Sequence, residues 1–169
     1  MKLTDKLLEL NIDIPKAVPT IGSYVPYKII ENFIYISGQL PIDQGSVVSQ
    51  SESKRNTLKT EGLISGKVPS QISIDQAKKA AELCVLNSLP LLVTASNNTS
   101  FDTISCISIS GFINSDNNFQ NHPEIINGAS ELIFKIFGDN GKHSRIAVGC
   151  NSLPKNACVE ISSIFHINK

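Results

Sequence analysis

The residues best suited to chemistry lie near the end of the chain, in two short apolar segments. Arg145 lies in the first segment and Glu160 in the second. A guanidinium can bind a carboxylate through two parallel hydrogen bonds, a geometry that lysine cannot reproduce. A glutamate can deprotonate a water molecule as a general base. Residue type alone leaves two interpretations open: a site for a small carboxylate-bearing ligand, or a salt-bridged strand arginine and a glutamate on an exposed strand face.

Apolar and polar residues alternate in both segments, which is typical of β-strands. If the two strands form an antiparallel hairpin around Pro154 and Lys155, Arg145 and Glu160 lie on the same side of the sheet. The residue opposite Glu160 is then near Gly149, so Arg145 is roughly 13 Å further along at ~3.3 Å per residue. We therefore expect the pair to meet only through a wide ligand pocket or across a subunit boundary.

The preceding elements predict an α+β sandwich with two helices on one face of a sheet. Ser73 and Gln76 form a capping-box pattern at the start of a long helix, and Pro90 is expected to kink or stop that helix. A change of apolar phase near Cys106 predicts a β-bulge or a strand covered on both faces. The remaining predicted elements are a short helix over 4–10 with Thr4 as N-cap, a hairpin over 27–36 and a helix that starts near Asn121 and is capped by Gly138.

Composition limits the class of protein. The 169 residues are 41% hydrophobic and carry 15 basic and 15 acidic side chains, which predicts one domain over 1–169 with a short N-terminal helical extension at about 1–15. No apolar run is long enough to cross a bilayer, and zero net charge disfavours nucleic acid as the main partner. We expect a cytoplasmic protein with reduced thiols and an exposed polar loop over 49–61.

Two other kinds of site are disfavoured. A metal site built from His122, His143 and Cys150 would need ligands from separate elements, so no metal is expected. A Ser-His-Asp triad is disfavoured because the chain has no GxSxG nucleophile elbow. A lone histidine such as His143 at a strand start is more often structural, although it shares the Arg145 face and could support that residue.

Five short motifs, in order along residues 20 to 165, resemble the Rid family of reactive intermediate deaminases, also called the YjgF or L-PSP endoribonuclease family. The motifs are Gly22-Ser23-Tyr24, Ile36-Ser37-Gly38-Gln39-Leu40-Pro41, Asn127-Gly128-Ala129-Ser130, His143-Ser144-Arg145 with Leu153-Pro154, and Cys158-Val159-Glu160-Ile161. The resemblance implies a chorismate-mutase-like fold with a mixed, mainly antiparallel sheet. It also implies a homotrimer with clefts between subunits and cofactor-free hydrolysis of enamines and imines to 2-keto acids and ammonia.

The resemblance assigns roles by matched position. Arg145 would bind the substrate carboxylate, and Glu160 and Tyr24 would handle the attacking water or the leaving nitrogen. Ser37 and Asn127 would donate or accept hydrogen bonds to the ligand. His143 joins the candidate ligand-binding residues because it shares the Arg145 face.

Three departures from the family pattern keep other functions open. Ala147 replaces a cysteine, Ser130 replaces an aromatic residue, and Ser162 replaces a second glutamate. These changes suggest a side branch and favour, as an alternative to the deaminase, a trimeric module that binds 2-keto or amino acids without turnover. RNA cleavage, which the older family name implies, is the least favoured function because the chain has neither net positive charge nor a basic and aromatic surface pattern.

Overall fold

The computed structural model describes residues 1–44 and 62–168, so the predicted loop over 49–61 lies outside the described residues. The described chain has the predicted α+β architecture, with three α-helices and a five-stranded sheet. The helices are α1 (Leu3–Glu9), α2 (Ile74–Ala95) and α3 (His122–Phe137), and the strands are β1 (Tyr27–Ile30), β2 (Phe33–Gln39), β3 (Ile104–Asn114), β4 (Ser144–Cys150) and β5 (Val159–Ile167).

The sheet has the strand order β1-β2-β5-β3-β4, and only the β3–β4 pair is parallel. The prediction of a mixed, mainly antiparallel sheet is therefore confirmed. The predicted β4–β5 hairpin is wrong because β3 lies between these strands. Alternation along a strand shows which residues share a face, but it does not identify the neighbouring strand. Helix α3 provides the crossover that a parallel β3–β4 pair requires.

Helices α2 and α3 pack side by side on one face of the sheet, as predicted, with α2 over β2 and β5 and α3 over β3 and β4. The side chains of Leu92, Ile126, Ile133 and Phe165 are at most 1% exposed in the resulting core. This layer leaves the opposite face of the sheet without a covering element in the described chain.

Local signals at the ends of α2 and α3 are mostly confirmed. Ser73 accepts a hydrogen bond from the Gln76 amide, and the reciprocal bond completes the capping box. Gly138 ends α3 with a φ of 56°. Pro90 does not stop the helix, since α2 continues through this residue to Ala95, and that alternative of the prediction is wrong. Burial of Leu89, Leu91, Leu92 and Ala95 around the proline stabilises the helix despite the missing amide donor.

The N-terminal part differs from the prediction in detail. Helix α1 begins at Leu3, and Lys2 precedes it without a side-chain cap, so Thr4 is not the N-cap. Leu3 and Leu7 are fully buried, which anchors α1 to the core. In β3 the predicted bulge lies between Cys106 and Ser108. None of the described helices combines the length and apolarity that crossing a bilayer needs.

Candidate functional site

Arg145 and Glu160 lie on opposite faces of the sheet. Arg145 is the β4 partner of Ile109 in β3, whereas Glu160 is the β5 partner of Phe112. Ile109 and Phe112 are three residues apart in one strand, so their side chains point to opposite faces. The expectation that Arg145 and Glu160 share a face is therefore wrong, because it depended on the β4–β5 hairpin.

The same register separates the two residues along the sheet. Two strand spacings of ~4.8 Å and three residues of ~3.3 Å place their Cα atoms roughly 14 Å apart. Arg145 faces the helices and Glu160 faces the uncovered side. Within one subunit these two side chains do not form a common site.

The Arg145 guanidinium lies against α3. Its Nη1 donates to Ser130 Oγ at 3.0 Å and its Nη2 donates to the Pro123 carbonyl at 3.3 Å. Among the described residues no carboxylate lies within 4.0 Å of this guanidinium. Two of the five N–H groups of the arginine are thus used, which leaves three for a ligand.

Two other predicted residues lie on the Arg145 side. The Nε2 atom of His143 is 3.0 Å from Ser130 Oγ, and its Nδ1 is 2.6 Å from the Gly141 carbonyl. Asn127 is half-buried in α3 and lies three residues before Ser130, so both belong to one face of that helix. We call Arg145, Ser130, His143 and Asn127 the arginine cluster.

The other three predicted residues line one cavity of about 490 Å³ on the Glu160 side. We call it the glutamate cavity. Its lining includes Tyr24, Ser37, Gly38, Pro154, Lys155 and Glu160. The structure therefore groups the six predicted residues into two separate sets of three.

Backbone contacts hold the wall of the glutamate cavity in place. Ser37 Oγ donates to the Val25 carbonyl at 2.7 Å, and the Ser37 amide donates to the Pro26 carbonyl at 3.0 Å. These bonds tie the segment before β1 to β2. Tyr24 is half-exposed, and its hydroxyl oxygen accepts a hydrogen bond from the Ile21 amide at 3.4 Å.

Glu160 is half-buried in this cavity, and its carboxylate has neither a hydrogen bond nor an ion pair with residues 1–44 and 62–168. Burial raises the pKa of Glu160 above its usual value. The carboxylate is consequently a stronger base than an exposed glutamate, which suits proton abstraction near neutral pH.

Sequence reasoning missed two residues that shape these sets. A Cβ atom at Gly38 would overlap the Glu160 carboxylate, so only glycine leaves room for that carboxylate in its present position. Ser130 was noted only as a departure from the family pattern, yet it contacts Arg145 directly. Neither contact leaves a sequence signal, because each depends on how separate elements pack.

Other kinds of reactive centre are not found in the described part of the chain. No three His, Cys, Asp or Glu side chains there are grouped so that they could hold a metal ion. The four cysteines are free thiols, and burial raises the pKa of both Cys106 and Cys158 to about 12. These thiols are poor nucleophiles at neutral pH.

Comparisons with known proteins agree with this architecture. A solved structure of the protein Atu1372 from Agrobacterium tumefaciens, whose function is described as unknown, is 35% identical, with a TM-score of 0.80 over 98% of this chain and 92% of that one. Protein TCP17 from Trypanosoma cruzi is 27% identical over 99% of this chain and 95% of its own length. RidA from the Antarctic bacterium Psychrobacter sp. is 22% identical and shares the fold, with a TM-score of 0.54 over 90% of this chain and 94% of that one.

The family comparison covers nearly the whole chain. The sequence model described as "YjgF/chorismate_mutase-like, putative endoribonuclease" matches residues 4–166. This range includes every residue of the arginine cluster and of the glutamate cavity. The chain therefore belongs to the YjgF/chorismate mutase-like family.

Proposed function

We propose that this protein hydrolyses small carboxylate-bearing enamines and imines, of the 2-aminoacrylate type, to a 2-keto acid and ammonia without a cofactor. The observation that carries this proposal is the Arg145 guanidinium, which has no acidic partner among the described residues and keeps three N–H donors for a ligand. A cation that lacks its own counter-ion is suited to bind an anionic substrate.

The proposed site lies between subunits of a homotrimer, where the arginine cluster of one subunit meets the glutamate cavity of the next. The separation of Arg145 and Glu160 on opposite faces supports a shared site of this kind. Exposed apolar side chains on the uncovered sheet face also support assembly, since such patches mark interaction surfaces. They are Ile30, Tyr35, Ile146 and Val148, each between 41% and 52% exposed.

The proposed reaction needs little from the protein besides positioning. Arg145 holds the substrate carboxylate, and Glu160 takes a proton from a water molecule whose oxygen forms a bond with the imine carbon. The C=N π electrons move to the nitrogen, which is protonated. The hydroxyl of the resulting adduct then loses its proton as the C=O bond forms and the C–N bond breaks, which releases ammonia and the 2-keto acid. Tyr24, which lines the same cavity as Glu160, orients the water or supplies a proton to the nitrogen. Holding the two reactants together lowers the barrier.

Replacement of Arg145 tests the proposal directly. Arg145→Ala and Arg145→Lys should each lower 2-keto acid and ammonia release from a freshly generated imine by about 10²-fold or more, because lysine cannot form the paired hydrogen bonds. Lys142→Ala is the control, since Lys142 is an exposed cation three residues away whose ion pair within the described residues is with Asp139. Full activity in both Arg145 variants would contradict the mechanism.

The second candidate is a trimeric module that binds 2-keto or amino acids without turnover. The replacement of family residues by Ala147, Ser130 and Ser162 favours it. Calorimetric titration with 2-ketobutyrate, run beside the ammonia assay, separates the two functions. Binding without ammonia release would support the module. RNA cleavage that survives extensive purification, and disappears in an Arg145 or Glu160 variant, would instead support the endoribonuclease activity that the older family name implies.

A further inference from the structure

Ser130 links two functional side chains of the arginine cluster. Its Oγ atom is 3.0 Å from Arg145 Nη1 and 3.0 Å from His143 Nε2. His143 is anchored at its other ring nitrogen, where Nδ1 is 2.6 Å from the Gly141 carbonyl. The four groups therefore form one continuous hydrogen-bonded chain.

With a neutral His143 ring, the chemistry of these groups fixes the direction of every bond in the hydrogen-bonded chain. A carbonyl only accepts, so Nδ1 of His143 carries a proton and donates to Gly141. In the neutral ring Nε2 is then an acceptor, and the Ser130 hydroxyl donates to it. Arginine only donates, so the Ser130 oxygen accepts from Arg145. The hydrogen-bonded chain runs from Arg145 through Ser130 and His143 to Gly141. Arg145 donates, Ser130 and His143 each accept one bond and donate the next, and the Gly141 carbonyl accepts.

This chain is one of two attachments that hold the guanidinium on α3. The second is the bond from Nη2 to the Pro123 carbonyl at 3.3 Å. Pro123 lies in the first turn of the helix and Ser130 two turns later, so the two contacts approach the guanidinium from different points. A long side chain held at two points loses the freedom to swing toward solvent.

We propose that Ser130 and His143 are positioning residues that orient Arg145 for a ligand carboxylate. The inference rests on carboxylate binding by Arg145, which is one part of the proposed function, and it does not depend on turnover. A guanidinium oriented in advance loses less freedom when the ligand arrives. Ser130, which stands where the family often has an aromatic residue, thus orients Arg145 in this protein.

Substitutions at Ser130 isolate the hydroxyl from the fold. Ser130→Ala removes the hydroxyl at a helical position where alanine is the best helix former, so the variant should fold. Ser130→Thr keeps the hydroxyl and serves as the rescue. Ser144→Ala is the matched control, because the Ser144 hydroxyl donates to the Ile107 carbonyl and takes no part in the chain.

Calorimetry with 2-ketobutyrate and ¹⁵N NMR of the His143 ring provide the readouts. We expect a Kd about tenfold higher for Ser130→Ala, and near-normal affinity for Ser130→Thr and Ser144→Ala. The NMR spectrum should show a proton on Nδ1, and the Nε2 resonance should shift in Ser130→Ala and remain in place in Ser144→Ala.

Three results would overturn the inference: unchanged affinity in Ser130→Ala, a His143 tautomer protonated only on Nε2, or a wild-type protein that does not bind 2-ketobutyrate. Failure of the deaminase proposal has a different signature. Affinity that depends on Ser130, without ammonia release from a freshly generated imine, would refute turnover and support the positioning role.

Discussion

Glu160 gives the clearest electrostatic prediction for a single residue. Because burial raises its pKa, the carboxylate becomes a general base only above the usual range for glutamate. The rate of imine hydrolysis should therefore rise with pH, with a midpoint above 4.5, and Glu160→Gln should abolish this step. A pH profile of kcat/KM for both proteins checks the prediction. An identical step in the variant would assign the titration to another group.

The same raised pKa predicts an effect on stability. The folded state favours the protonated glutamate, so its stabilising contribution is complete below the usual pKa and is lost as pH rises through the raised pKa. Glu160→Gln should accordingly raise Tm at pH 7, and the difference should shrink as pH falls toward the usual pKa of glutamate. Calorimetric scans at pH 7 and at lower pH provide the measurement. A variant less stable than the wild type at pH 7 would contradict the assignment.

Gly38 predicts the consequence of filling the space beside Glu160. The Cβ of Gly38→Ala would overlap the carboxylate, which must then move from its position in the glutamate cavity. We expect at least about tenfold lower imine hydrolysis with near-normal affinity for 2-ketobutyrate, because Arg145 is untouched. Kinetics and calorimetry on the same preparation measure both effects. A parallel loss of affinity would indicate a wider disturbance.

The sequence identified Arg145, Glu160 and Tyr24 as residues of interest, but it could not say which of them meet. Residue type and spacing reveal chemical capacity, whereas proximity depends on strand order. The arrangement of Ser130, His143 and Arg145 shows this limit well. Their contact requires α3 to cross β4 at one particular point, and no local pattern records that crossing.

At the level of elements, the contact between α2 and α3 is unusually close at Gly128. A Cβ there would overlap the backbone carbonyl of Lys78, which cannot move aside as a flexible side chain could. Gly128→Ala should thus destabilise the protein by about 1–3 kcal/mol, although alanine is the better helix former. Urea unfolding measures the change, with the exposed Lys135→Ala on the same helix as control. Stabilisation by Gly128→Ala would mean that the helices can separate without cost.

Elements with strong local signals were predicted well. The capping box at Ser73, the β1–β2 hairpin and the glycine end of α3 all depend on short-range chemistry that a sequence contains. Pro90 was predicted less well, since a proline weakens a helix locally while the helix is held by packing along its length. The predicted β4–β5 pairing was wrong because closeness in sequence does not decide which strands are neighbours. β4 and β5 follow each other along the chain, but β3 lies between them in the sheet.

At the level of the whole molecule, a site shared between subunits predicts complementation. Coexpressed Arg145→Ala and Glu160→Gln chains should regain activity, because some interfaces then join an intact arginine cluster to an intact glutamate cavity. Random mixing in a trimer would restore about a quarter of the interfaces. The measurement is imine hydrolysis by purified mixed assemblies, with each variant alone as control. No recovery in mixed assemblies of confirmed composition would refute a shared site.

The placement of Arg145 and Glu160 on opposite faces has a consequence for how activity responds to dilution. A single chain would carry both halves of the reaction machinery and still be unable to bring them to one substrate molecule. Catalysis would then follow the association equilibrium by mass action, while the fold of each chain would not. Specific activity should fall at low protein concentration before any loss of secondary structure.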